Sequence, residues 1–119
     1  MSWVGRWRNQ YGSILEVSDD ADNKLSGVFR TALEDSAFFG REVRVLGIHR
    51  GDCIGFAFAD TTESGDIICS FTGLMRDGKI EAVWHLIADG RRSATGGVIE
   101  KRGWPHAVTT NADTFERLT

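Results

Sequence analysis

The stretch WRNQYGSILEVS, residues 7–18, interrupts an aromatic strand pattern with Asn9, Gln10, Gly12 and Ser13 before apolar alternation resumes at Leu15 and Val17. Small and polar side chains at this density fill a core poorly. Two readings are open. Asn, Gly and Ser commonly shape a tight turn between strands. Alternatively, their polar atoms face something that is not protein, where each buried donor or acceptor needs a partner.

The same alternation continues outward from this stretch. Ser13, Leu15 and Val17 share one phase, followed by Leu25, Gly27, Phe29 and Thr31, then Ile54, Phe56 and Phe58, then Cys69, Phe71 and Gly73, with Trp84 and Leu86 opposite Val83. Turn signals separate these runs at SDDADN (18–23), HRGD (49–52), TTESGD (61–66), RDGK (76–79) and ADGRRSATGG (88–97). Period two bounded by such signals indicates strands. Only TALEDSAFFGREVRVL offers a helical spacing, and its continuation REVRVLGIHR alternates, so residues 33–40 are read as a connecting loop. About eight short strands without a βαβ rhythm make an all-β chain, either an up-and-down barrel or a sandwich. Glycine after a hydroxyl residue, in LSG (25–27) and FTG (71–73), favours tightly coiled strands and hence closure into an eight-stranded antiparallel up-and-down β-barrel.

Composition bounds the function. The 119 residues suit one domain, 1–119, with a single core. A net charge of -3 and a pI near 5.5 provide no basic excess for nucleic acid or an anionic membrane surface, so neither is expected as a partner. The opening MSWVGRWRNQ lacks the apolar stretch of a signal peptide, so the expectation is a chain that is cytosolic or already trimmed, and the compartment stays open. Cys53 and Cys69 make no disulfide framework and no zinc spacing. Alternation puts them on opposite faces of one hairpin, with Cys69 inward, which disfavours a bridge. His85 and His106 have no partner at metal-ligand spacing and are read as surface residues. In GIHRGDC, His49, Asp52 and Cys53 lie close enough to suggest a thiol nucleophile with its base. On a hairpin the same residues make a solvated turn, so no enzyme, catalytic residue, metal or cofactor is expected.

GRWRNQYGSILEV, LSGVFRTAL, IGFAFAD, CSFTG, IEAVWHLIADG and DTFERL resemble the successive strands of the avidin and streptavidin family, in the family's order, over nearly the whole chain. The combination of W-x-N-Q-x-G-S with L-x-G-x-F-x-T-A and D-T-F carries the likeness. The resemblance implies an avidin-like barrel that binds biotin through its open end with high affinity. Asn9 and Ser13 would donate to the ureido oxygen at the closed end, and Thr31 and Asp113 would accept from the ureido N–H groups. Phe71 and Trp84 match aromatic walls. Trp104 resembles the tryptophan that a neighbouring subunit lends to the site, although it lies one residue out of register with the family spacing to DTF. A homo-oligomer, tetramer or dimer, would follow. Val45, Gly47, Val83 and Ile87 are the expected apolar residues on its exposed pairing faces.

Four positions depart from the family pattern. Phe29 stands where a tyrosine is usual and removes a third donor to the ureido oxygen. Cys69 replaces a threonine near the ring sulfur, Ile67 stands where a serine often lies, and Asp60 falls at the position of a large tryptophan wall. These departures leave a second reading open, an avidin-fold barrel with weakened or altered small-ligand preference and little biotin binding.

Overall fold

The opening hairpin turns on the side chain of Asn9. Its Oδ1 accepts from the backbone N–H groups of Tyr11 (3.0 Å) and Ser13 (2.8 Å), and its own N–H meets the Ser13 carbonyl at 3.0 Å. Gly12 takes φ +90 at the tip, a backbone conformation that L side chains rarely adopt. The turn joins β1 (Gly5–Asn9) to β2 (Ile14–Asp19) and leaves Asn9 and Ser13 buried.

The computed structural model describes residues 2–36, 38–62, 65–92 and 99–118. After β2 come β3 (Lys24–Arg30), β4 (Val43–Arg50), β5 (Cys53–Thr62), β6 (Gly65–Arg76), β7 (Lys79–Ala88), a ribbon of β8 (Gly90–Arg92) with β9 (Ile99–Lys101), one helical turn α1 (Trp104–Ala107), and β10 (Val108–Arg117). Eight of these strands close a barrel in the order β1-β10-β7-β6-β5-β4-β3-β2, each antiparallel to its neighbours. The expected all-β up-and-down barrel is thus the observed fold. The short ribbon and α1 lie in the β7–β10 connection, and alternation gave no sign of either. Ala37, residues 63–64 of TTESGD and residues 93–98 of ADGRRSATGG lie outside the described residues. The described part of 33–40 is turn and coil, as read.

Inward phases fill one end of the barrel with Trp7, Leu15, Val17, Leu25, Val45, Ile54, Ile80 and Phe115. Trp3 is buried with them and is held by Asp20, whose Oδ2 accepts from the Trp3 N–H at 2.8 Å and the Ser2 hydroxyl at 3.0 Å. The hydroxyl-glycine steps permit close approach of strands. A Cβ on Gly27 would lie 1.9 Å from the Glu16 carbonyl oxygen, and one on Gly73 would lie 2.2 Å from that of Glu81.

One expected face needs correction. Val45 is fully buried rather than exposed, while Leu46 and Ile48 point outward at 62% and 68% exposure. Apolar residues occupy both phases of VRVLGI, so alternation does not choose between them. Pairing with β3 does, because Val43 and Val45 lie opposite the inward Phe29 and Gly27. Val83 does face solvent, whereas Gly47 and Ile87 are half-buried.

Candidate functional site: a polar-floored cavity in the barrel

The end of the barrel away from the apolar core holds a cavity of about 370 Å³. Asn9 and Ser13 reach it from the first hairpin, Phe29 and Thr31 from the end of β3, Cys69 and Phe71 from β6, Trp84 from β7 and Asp113 from β10. These residues lie far apart in the chain, and closure of the barrel brings them together.

Asp113 organises the polar side. Its Oδ2 accepts from Asn9 Nδ2 at 3.0 Å and its Oδ1 from Trp84 Nε1 at 3.1 Å. A carboxylate held by two donors in a buried setting is fixed in orientation and remains an acceptor. Asn9 therefore serves two purposes: its oxygen shapes the turn, and its amide aligns Asp113. Ser13 Oγ accepts from the Ala32 N–H at 2.8 Å and lies 3.4 Å from Thr31 Oγ1, which itself accepts from the Leu33 N–H at 3.2 Å. Both hydroxyls are thereby positioned by backbone donors.

The opposite wall is aromatic. Phe29 stacks on Phe58 at 5.6 Å and meets Phe71 at the same centroid distance, and Phe71 lies 6.4 Å from Trp84. Phe38, from the β3–β4 loop, is buried and sets its edge on Phe58 at 5.0 Å. Burial foremost, and then the charge of Asp113, pushes the Cys69 thiol up to about 12, so it is a neutral, weakly polar part of the wall.

A sequence profile of the Avidin family matches residues 1–118. The chain belongs to the avidin family. Solved avidin-family structures superpose over essentially the full length. A bradavidin2–biotin complex matches with TM-score 0.74 at 16% identity, covering 100% of both chains. Apo shwanavidin gives 0.76 at 23% identity over 100% of this chain and 98% of that one. A rhizavidin–biotin complex gives 0.72 at 18% identity, covering 99% and 93%. A search of curated proteins found no match.

Within this avidin-family frame, two expected site residues stand apart from the cavity. Asp60 does not line it. The Asp60 carboxylate turns to Arg41, whose Nε lies 3.3 Å from Oδ2, and its Oδ1 accepts from the Thr61 N–H at 2.8 Å. Trp104, on α1, is 70% exposed and lines no part of the cavity. Ile67 is buried in the core.

The structure adds lining residues that sequence reasoning missed. Leu86 and Ala88 continue the phase of Trp84 along β7, and Thr109 lies in phase with Asp113, so alternation was sufficient to find them. Leu33, Asp35, Ser36 and Phe38 come from the loop, and Arg102, His106 and Ala107 from the segment around α1, where no periodicity applies.

The thiol–imidazole pair does not form. His49 Nε2 lies 2.7 Å from the Asp20 carbonyl, Cys53 is exposed, and no hydrogen bond joins the two side chains. Both cysteines are free, Cys69 buried and Cys53 exposed, as their opposite phases required. Among the described residues, no group of three His, Cys, Asp or Glu side chains is placed to hold a metal, and no helix is long and apolar enough to cross a membrane.

Proposed function

We propose that this chain binds biotin non-catalytically and with high affinity in the barrel cavity. The observation that carries the reading is the buried set Asn9, Ser13, Thr31 and Asp113 facing an aromatic wall in a cavity of about 370 Å³, a size and composition suited to one small ligand. A cyclic urea presents one acceptor and two donors in a plane. The Ser13 hydroxyl and the remaining Asn9 amide hydrogen are the donors for its oxygen, and Thr31 Oγ1 and the Asp113 carboxylate are acceptors for its N–H groups. Each of these atoms is already oriented by a neighbour, so little ordering remains to be done on binding. Phe71, Trp84 and Phe29 pack the rest of the bicyclic ring, with Cys69 alongside.

Family membership and the biotin-bound state of bradavidin2 and rhizavidin support this reading. Thermal denaturation with and without excess biotin tests it. Ligand that binds only the folded chain raises the melting temperature in proportion to RT ln(1 + [L]/Kd), about 4 kcal/mol at a thousandfold excess over Kd. A large rise supports the proposal, and no rise at high biotin contradicts it.

One feature favours a second reading, altered ligand preference. The Phe29 ring reaches the cavity without a hydroxyl, and a donor missing from a polarised acceptor costs about 1–3 kcal/mol. Assembly into a homo-oligomer is part of the same proposal. Leu46, Ile48, Ile68 and Val83 are exposed on the outer surface of β4, β6 and β7, and Trp104 projects from α1. These are the groups a neighbouring barrel would cover, with Trp104 lent to its cavity. Sedimentation equilibrium distinguishes dimer or tetramer from monomer.

A further inference from the structure

The β8–β9 ribbon and the segment leading to α1 carry several cations, and their described side chains differ in what they meet. Arg91 Nε lies 3.5 Å from Glu100, and Lys101 pairs with Asp89. Arg102 has no carboxylate within 4.0 Å among the described residues, yet it is half-buried and lines the ligand cavity. Backbone carbonyls hold its guanidinium instead: Nε donates to the Gly90 carbonyl at 2.5 Å and Nη1 to that of His106 at 3.2 Å. Among the described residues, Nη2 and the second Nη1 hydrogen meet no acceptor. A fixed, half-buried guanidinium that meets no carboxylate among the described residues favours an anion brought to it.

Its position along the cavity indicates what that anion is attached to. The Arg102 N–H donates to the Asp89 carbonyl at 2.9 Å, beside Ala88 at the end of β7. Ala88 lies four residue steps along β7 from Trp84, about 13 Å of extended strand, and Trp84 contacts Asp113 in the polar set. Arg102 therefore lies at the far end of the cavity from the groups that suit a cyclic urea, at the reach of a ring bearing a short acid chain. The other ionisable side chains lining the cavity are Asp113, already held by Asn9 and Trp84, Cys69 in the wall, and Asp35 and His106, both exposed.

We infer that Arg102 is a specificity-determining residue that selects ligands with a free carboxylate tail over those whose tail is a neutral amide. The inference rests on the proposed biotin site and adds a preference within it: free biotin over biotin joined through an amide. A charge-assisted hydrogen bond lost to a neutral tail corresponds to about a tenfold weaker complex.

The test is competition calorimetry at pH 8 with biotin and with biotinamide, its neutral primary amide, on the wild-type chain, Arg102→Gln and Arg102→Lys. The expected result is a preference for biotin of about tenfold in the wild type, falling to near unity in Arg102→Gln and partly kept in Arg102→Lys. The ratio of two ligands in one variant is unaffected by general loosening of the fold. Equal preference in the wild type and Arg102→Gln would overturn this inference and leave the biotin site standing. Binding of neither ligand to the wild type would overturn the biotin site and the inference together.

Discussion

Trp84 and Asp113 are joined across β7 and β10 by a hydrogen bond of 3.1 Å from the indole Nε1 to carboxylate Oδ1. An aromatic wall and an acceptor that sequence reasoning treats separately are thus one unit, completed by Asn9 on the other carboxylate oxygen.

Asp113→Ala leaves the Asn9 amide and the Trp84 indole without their acceptor. Orphaning the buried Asn9 donor costs about 1–3 kcal/mol, and the half-buried Trp84 indole adds less, so urea denaturation should show a clear loss of stability and calorimetry a loss of biotin binding. Asp113→Asn keeps one acceptor oxygen and should lose less of both. Undiminished biotin affinity in Asp113→Ala would contradict the assigned role.

Phe29→Tyr restores a phenolic hydroxyl at the cavity. If the missing donor limits affinity, the variant binds biotin about tenfold tighter, the effect of one hydrogen bond to a polarised acceptor. Dissociation kinetics of labelled biotin measure this directly. An unchanged off-rate would show that the hydroxyl does not reach the ureido oxygen.

Cys69 makes stability depend on alkaline pH. Burial raises its thiol from 9.0 to about 12, while in the unfolded chain it ionises at its ordinary value. The unfolded state therefore holds fewer protons than the folded state between about pH 9 and 12, and stability falls with rising pH across that window. Below pH 9 the contribution is complete. Denaturation midpoints of the wild type against Cys69→Ala across this range check the sign. The native chain should also give one rapidly reactive thiol, Cys53, and a second only on unfolding.

Gly27→Ala tests closure. The added methyl would sit 1.9 Å from the Glu16 carbonyl oxygen on the neighbouring strand, so β2 and β3 must separate or shift. A loss of about 1–3 kcal/mol is expected from such overpacking, read as a lower melting temperature. A neutral substitution would show that the strands relax freely.

Much of this was legible in the sequence for physical reasons. Strand periodicity sorts Leu15, Phe29, Phe56 and Phe71 inward without reference to a partner, because a residue's phase is a local property. Asn9 and Ser13 were legible as polar groups that interrupt an apolar alternation, whereas Thr31 and Asp113 were joined to them only by resemblance to the avidin and streptavidin family. Val45 was misread because VRVLGI is apolar on both phases, and only its pairing with β3 decides between them. Phe38 and Arg102 lie in irregular segments whose course depends on tertiary contacts, so no spacing announced them. Asp60 was placed at the wall by analogy of position, and its contact with Arg41 is a tertiary one that no local pattern encodes.

The central claim is that the cavity holds biotin. Its most direct test is calorimetric titration of biotin into chain that has been denatured and refolded to strip carried-over ligand. The account predicts a large exothermic signal saturating near one biotin per chain, lost in Asp113→Ala and weakened in Asn9→Ala. Absence of heat at high biotin, in protein shown to be folded, would contradict it and leave an avidin-family barrel whose cavity serves another ligand.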